Sequence, residues 1–142
     1  YGRERAFVGE LMENRNMLTT DATAKLLHGI VGGVAVSSAR SQAMMKLIER
    51  DLALAAATAL LEAGEENQIQ GFLGEGLPEN ARLWSKAGWT SQVRHDAAYI
   101  EVPNLSPYLL VVFTEGKANS QNRKILPFIS RQIVAAMEQL KE

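Results

Sequence analysis

The sequence predicts an α+β fold in which helices precede a three-stranded antiparallel sheet and a last helix packs on that sheet. Apolar residues recur at helical spacing in the first half and again at the C-terminal end, with alternating or continuous apolar runs between them. With 142 residues, 46% of them hydrophobic, the chain is long enough to bury one core. We expect residues 1–142 to form a single unit, with helices over 1–80, strands over 81–116 and a closing helix over 120–142.

Composition and charge exclude several classes of function. Lys and Arg number 15 against 16 Asp and Glu, so the net charge of −1 creates no long-range field for nucleic acid or an anionic membrane. The absence of Cys excludes disulfides and thiolate chemistry. The longest largely apolar run, Leu52–Leu61, is only ten residues, whereas a membrane helix needs about 20. His28 and His95 are isolated and lack paired ligand spacing, so we expect neither a metal site nor a cofactor.

Cap residues and glycines mark the predicted helices of the first half. Thr19–Asp21 supply N-cap chemistry for a helix from about Ala22 to Ile30, which Gly32-Gly33 ends. Ser37-Ser38 cap a second helix. The remaining expectations for this half are a surface loop over 1–18, an Ala- and Leu-rich helix over 51–63, and a short helical turn over 69–73 followed by a loop.

The second half changes to strand patterns. Residues 82–86 and 98–102 alternate at period two, and Tyr108–Phe113 is a continuous apolar run typical of a strand buried on both faces. The short link Pro103–Pro107 favours an antiparallel hairpin between the last two strands. We interpret Ser120 as the cap of a closing helix. Its predicted apolar face consists of Ile125, Phe128, Ile129, Ile133, Ala136, Met137 and Leu140.

A Lys-x-Gly triplet on the first of these strands carries the functional motif. Lys86-Ala87-Gly88 resembles the Lys-Thr-Gly strand of class A β-lactamases and penicillin-binding proteins, with Ala87 in place of Thr or Ser. Residues 95–100 and 110–116 resemble the next two strands of that family, and residues 16–30 resemble the exit of its omega loop and the following helix. The chain therefore resembles the C-terminal half of a penicillin-recognising serine hydrolase, which implies a partial β-lactamase-like fold.

The resemblance implies a role for each residue of this strand. The Lys86 cation would hold the carboxylate of a β-lactam or peptidoglycan-like substrate and bias nearby proton transfers. Gly88 would let substrate lie close to the strand, because it has no Cβ. The main-chain N–H of Trp89 would be one oxyanion donor, a kind of group whose loss costs about 10²–10³ in rate. Thr90 would supply the hydroxyl that Ala87 lacks.

Other family elements are weaker or missing. Arg94 is predicted to be a second anion anchor, and Glu4 and Glu10 are candidates for the omega-loop base, although a solvated surface carboxylate is the better interpretation of both. The family's nucleophile is a Ser followed three residues later by Lys, and none of the eight Ser residues has that spacing. We therefore expect the chain alone not to acylate, and we expect the nucleophile and the Ser-x-Asn element upstream of Tyr1. Ser120-Gln121-Asn122 only imitates that element, since it follows the Lys-x-Gly strand.

Three classes of function remain open. The chain is a fragment of a serine hydrolase, a non-catalytic relative that binds a peptidoglycan-like or protein ligand, or an unrelated α+β domain. The resemblance favours the hydrolase, whereas the replacement at Ala87 and the departure of the omega-loop residues from the family pattern argue slightly for the second class. The resemblance also implies that the last strand pairs with strands of an N-terminal segment. Without that segment, an apolar strand edge at Tyr108–Phe113 is predicted to recruit either the missing N-terminal half or a second copy. The hydrolase resemblance implies a bacterial parent that is periplasmic or secreted.

Overall fold

The computed structural model describes Gly9 and residues 17–53 and 68–140. Most of the predicted helix over 51–63 and of the predicted loop over 1–18 lies outside these residues. Within the described ranges, no helix combines the length and the apolar character that crossing a membrane requires.

Two helices precede the sheet, as predicted. Their bounds are Thr20–Val31 (α1) and Ser38–Ile48 (α2). The hydroxyl of Thr19 accepts a hydrogen bond from the Ala22 N–H at 3.1 Å, and that of Ser37 accepts one from the Arg40 N–H at 3.3 Å. Each cap satisfies a donor that would otherwise be orphaned in the first turn. Gly33, just beyond α1, has φ 76°, a conformation that favours glycine.

The sheet is antiparallel, and within the described residues it contains four strands in the order β1-β2-β3-β4. Their bounds are Glu49–Arg50 (β1), Arg82–Trp89 (β2), Val93–Glu101 (β3) and Tyr108–Glu115 (β4). The three long strands are the predicted ones, whereas two-residue β1 is too short to carry an alternation. Because β1 pairs only with Leu83 and Trp84, the second half of β2 has no neighbouring strand on that side in the described part of the chain.

The two faces of the sheet pack against different elements. On one face, alternate residues of β2 and β3 form a core with the 3₁₀ turn Leu73–Gly76 and the C-terminal helix. The other face packs against α1 and α2. The buried core residues are Phe72, Leu73, Ala81, Leu83, Ala87, Ala98, Ile100, Val102, Leu126 and Val134.

Strand β4 is half-buried along most of its length rather than buried on both faces, so that part of the prediction is wrong. The cause is its position. It pairs with β3 on one side and, among the described residues, is the outermost strand on the other. Its continuous apolar sequence therefore lies at an edge of the sheet.

The end of the chain forms two helices, α3 over Lys117–Gln121 and α4 over Ile125–Gln139. The prediction that Ser120 caps the closing helix is wrong. Ser120 lies within α3, where its buried hydroxyl donates to the Ser91 carbonyl at 2.8 Å. Helix α4 begins after Lys124 without a side-chain cap.

The buried face of α4 also differs from the predicted one. Its buried residues include Pro127 and Ser130, whereas Phe128, placed on the predicted apolar face, is 56% exposed. Gly76 explains the difference, because a Cβ at this position would meet the Pro127 carbonyl oxygen and lie 2.7 Å from the Ser130 Cβ. The 3₁₀ turn thus packs directly on the backbone of α4, and this close approach requires small side chains.

Candidate active site on the open edge of strand β2

Lys86 is an exposed residue of β2 that lines a space between the sheet, α1 and α2. Its ammonium donates a hydrogen bond to the backbone carbonyl of the next residue, Ala87. The side chain therefore bends along its own strand towards the side that β1 leaves uncovered. A cation in this position is accessible to an anionic ligand.

The backbone N–H of Trp89 points away from β3. Hydrogen-bonded and non-hydrogen-bonded pairs alternate along antiparallel strands. The Thr90 N–H donates to the Val93 carbonyl at 2.8 Å, so the next pair, Trp89 with Arg94, is a non-hydrogen-bonded one. The Arg94 backbone agrees, since both its N–H and its C=O bond to the Thr114 hydroxyl of β4, at 3.1 and 2.8 Å.

The same alternation directs the backbone groups of Ser85 and Ala87 to the side opposite β3. Their carbonyls are bound there by side chains: Arg50 donates to the Ser85 oxygen at 2.8 Å, and Lys86 donates to the Ala87 oxygen. We call the backbone of Ala87–Trp89 on this side the open edge. The Lys86 ammonium and the Trp89 N–H both lie on it.

Gly88 lies between these two groups and borders a space of about 460 Å³. A Cβ at Gly88 would meet no atom of the described residues within 4 Å. Packing within the described chain therefore does not require glycine here, and the position leaves room beside the strand. The other residues around this space are mainly apolar and comprise Leu18, Thr23, Leu26, Leu27, Ile30, Met44, Leu47, Ile48, Lys86, Ala87, His95, Ala97 and Phe113.

Thr90 and Ala87 differ in their access to the site. The Thr90 hydroxyl accepts hydrogen bonds from the N–H groups of Gln92 and Val93 at 3.1 and 3.3 Å, which stabilises the β2–β3 turn. Its own proton remains able to bind an acceptor, since a hydroxyl both accepts and donates. Ala87, in contrast, is 1% exposed and belongs to the core.

Arg94 lies on the opposite face of the sheet from Lys86. Its side chain is buried, its Nε donates to the Ser120 carbonyl at 3.0 Å, and its guanidinium lies 4.6 Å from the centre of the Phe72 ring. The structure therefore does not bring Arg94 and Lys86 together. The role of Arg94 as an anion anchor stays a prediction, and its contacts favour a structural role.

The other titratable candidates lie elsewhere. Glu4 and Glu10 are outside the described residues. His95 lies on β3, where its ring stacks on Phe113 with centroids 4.4 Å apart and its Nδ1 accepts from the Thr114 N–H at 3.1 Å. In the described ranges, no group of three or more His, Asp and Glu residues could hold a metal ion.

Sequence reasoning missed Asp96, a completely buried carboxylate on β3. Its Oδ2 accepts from the Leu73 N–H at 3.1 Å. Burial raises the pKa of Asp96 to about 6, although backbone N–H groups and the charge of Arg50 oppose the increase. A signal existed in the alternation of β3, because Asp96 is in phase with the buried residues Ala98 and Ile100.

The chain is similar in sequence and in fold to β-lactamases. The model of the β-lactamase enzyme family matches residues 3–137. No curated protein matches the chain. Among solved structures, the β-lactamase from Sphaerobacter thermophilus DSM 20745 is similar to this chain, with 22% identity and a TM-score of 0.62 over 84% of this chain and 40% of that one.

Two further solved structures support the fold. A variant of the class A β-lactamase of the last common ancestor of Gram-negative bacteria is 25% identical, with a TM-score of 0.65 over 87% of this chain and 42% of that one. An acyl-enzyme complex of PBP-A with penicillin G is 18% identical, with a TM-score of 0.67 over 89% and 42%. The chain thus spans less than half the length of these proteins and has a partial β-lactamase-like fold. Since the family model matches nearly all of its residues, the chain belongs to the β-lactamase enzyme family.

Proposed function

We propose that this chain provides one wall of the active site of a serine hydrolase that binds and hydrolyses β-lactam or peptidoglycan-like substrates. One observation carries the proposal: the Lys86 ammonium and the outward Trp89 N–H lie on the same open edge of β2. A carboxylate would bind the cation, and the oxygen of the scissile carbonyl would bind the N–H. An active site for this reaction must bind both of these substrate groups.

The chemistry on this edge is electrostatic. Attack on the substrate carbonyl places negative charge on its oxygen, and a fixed N–H donor stabilises that charge in the transition state. Trp89 is one such donor, and it needs no side-chain functional group for the task. The serine, its base and a second donor would come from residues outside this chain, because none of its Ser residues has the Ser-x-x-Lys spacing.

Neighbouring residues fit substrate binding along the open edge. An extended substrate on this edge would pair with β2 through main-chain hydrogen bonds, as in strand addition to a sheet. The empty space beside Gly88 would admit it, and the Thr90 proton would supplement Lys86 at the carboxylate. The PBP-A relative is an acyl-enzyme with penicillin G, which supports the proposed substrate class.

Labelling of the full-length protein with a fluorescent penicillin tests this proposal. We expect Lys86→Ala to slow labelling at least tenfold, because a charge-assisted hydrogen bond is worth about 1.5–3 kcal/mol. Lys117→Ala, which removes another exposed ammonium at the start of α3, is the matched control and should label like wild type. A wild-type protein that is never labelled, and that leaves a chromogenic cephalosporin intact, would contradict the proposal.

A non-catalytic relative is the second candidate function, and Ala87 is the observation that favours it. The family hydroxyl is absent at this position, which removes one group from the carboxylate site. Such a protein would bind peptidoglycan fragments without forming a covalent adduct. Retention on purified peptidoglycan, combined with no penicillin labelling, would support this function over the hydrolase.

We also propose that the outer edge of β4 pairs with another strand, either from a segment of the same protein outside this chain or from a second copy. Its apolar side chains and unpaired position in the described sheet are typical of an edge that recruits a partner. Hydrogen exchange of the full-length protein tests this. Fast exchange of the β4 amides that point away from β3, in a monomer by light scattering, would oppose it.

A further inference from the structure

A charged side chain lies buried directly beneath the proposed site. Asp96 is 0% exposed and is paired across the sheet with Ala87, the middle residue of the Lys-x-Gly triplet. One carboxylate oxygen accepts from the Leu73 N–H of the 3₁₀ turn at 3.1 Å, and the Ala97 N–H and the Ser85 hydroxyl of β2 also stabilise the charged carboxylate. Burying a carboxylate is costly unless a compensating charge lies nearby.

Arg50 provides that charge and also holds β2 from its outer side. Its half-buried guanidinium donates to the Ser85 carbonyl at 2.8 Å and to the Gln68 side chain at 2.7 Å. Ser85 immediately precedes Lys86. The positive charge of Arg50 also acts on Asp96 through space. Arg50 thus contacts the outer side of β2 and acts electrostatically on a carboxylate in the core.

The two contacts bracket the strand on which the site lies. Arg50 fixes the carbonyl of Ser85, and Asp96 lies opposite Ala87 and ties β3 to the 3₁₀ turn. We propose that Arg50 and Asp96 are positioning residues that jointly fix the open edge of β2 without touching substrate. This inference rests on the proposed function, since it assigns a task in that same site.

The open edge of β2 needs support beyond its pairing with β3. The second half of β2 lacks a neighbouring strand in the described sheet, so backbone hydrogen bonds on only one side hold it. An oxyanion donor acts only when it is held in place before the reaction. A displacement of about 1 Å costs on the order of 10²-fold in rate. Loss of the bracket should therefore slow acylation while leaving carboxylate binding at Lys86 intact.

The kinetic test separates these two quantities in the full-length protein. Stopped-flow labelling with a fluorescent penicillin gives the noncovalent Kd and the first-order acylation rate for Asp96→Asn and Arg50→Lys. Asp96→Asn preserves shape but removes the charge, and Arg50→Lys preserves charge but removes the guanidinium fork. We expect acylation to slow about 10- to 100-fold in each variant with Kd unchanged.

The controls remove similar charges elsewhere on the surface. Arg82→Gln breaks an exposed ion pair with Glu101 on the same two strands, and Asp21→Asn breaks one with Lys25 on α1. Both should acylate like wild type. In the double variant of Arg50 and Asp96, the loss should be no larger than in the more affected single variant, because the two residues act together. Additive losses would contradict joint action.

Amide hydrogen exchange tests the inference even if the protein is not acylated. The amides of Lys86 and Gly88 belong to the hydrogen-bonded pairs with β3, and we expect both to exchange faster in Asp96→Asn and Arg50→Lys than in the controls. If wild type is not acylated, the proposed function fails and this exchange alone decides the positioning role. Unchanged exchange in Arg50→Lys overturns the inference, and this variant also decides it should Asp96→Asn fail to fold.

Discussion

The guanidinium of Arg94 lies 4.6 Å from the centre of the Phe72 ring, and both residues are buried. The same ring contacts the indole of Trp89, with centroids 5.6 Å apart. Phe72 therefore lies against both members of the last strand pair before the β2–β3 turn. The end of β2 that carries the proposed oxyanion donor is supported from the core by this cluster.

This arrangement predicts that Arg94 contributes to stability rather than to ligand affinity. Arg94→Lys should lower the free energy of unfolding by about 2 kcal/mol, because a desolvated cation–π contact of that order is lost together with guanidinium hydrogen bonds. Urea denaturation measures the change. If Arg94 is instead an anion anchor, Kd for penicillin should rise with no loss of stability.

Gly88 and Gly76 should respond oppositely to substitution. Gly88→Ala adds a methyl group to empty space, so stability should stay within about 0.5 kcal/mol of wild type while penicillin labelling slows. Gly76→Ala drives a methyl group against α4 and should destabilise by about 1–3 kcal/mol. Thermal unfolding and labelling of both variants check this. Equal labelling by wild type and Gly88→Ala would show that the space is not used.

Asp96 predicts an unusual pH dependence of stability. Burial raises the pKa of the folded-state carboxyl to about 6, above its ordinary value of 3.8. Between these values the folded chain binds a proton that the unfolded chain does not, so stability from this group increases as pH falls through 6. The gain is about 1 kcal/mol between pH 7.5 and pH 5.5, and it reaches about 3 kcal/mol only when the pH falls below 3.8.

Thermal melts at pH 7.5, 6.5 and 5.5 measure this effect, and Asp96→Asn should flatten the profile. Arg50, whose charge acts on Asp96, stays protonated over this pH range and is present in both proteins. It therefore does not contribute to the difference between the two profiles. A wild-type profile identical to that of the variant would show that Asp96 titrates normally.

Ala87→Thr should not simply restore the family motif. The Ala87 side chain is 1% exposed in the core, so the larger β-branched residue would cost about 1–3 kcal/mol through overpacking. Ala87→Ser adds less volume and separates the two effects. Because the Ala87 side chain lies in the core on the face opposite Lys86, we expect Ala87→Ser to leave Kd for penicillin unchanged at a small cost in stability, as measured by urea denaturation. Tighter binding by Ala87→Ser would show that the added hydroxyl reaches the ligand carboxylate after all.

The amino-acid sequence by itself determined most secondary-structure elements and the Lys-x-Gly motif. The caps at Thr19 and Ser37, the alternation of β2 and β3 and the Lys-x-Gly triplet are local signals, because helix and strand periods and turn chemistry involve neighbours in sequence. The same reasoning misplaced Ser120, since a cap residue is recognised by its type, and Ser also suits a buried bond to a distant carbonyl.

Tertiary structure decided everything that depends on contacts between distant segments. The close approach of Gly76 to Ser130 selected which face of α4 is buried, and the pairing of Trp89 with Arg94 decided which N–H points outward. Arg50 contacts Ser85, the residue before Lys86, and Asp96 is buried against a distant turn. No pattern among neighbouring residues in the sequence predicts either contact. The sequence thus specifies which groups are present, whereas strand register and packing specify which of them share an edge.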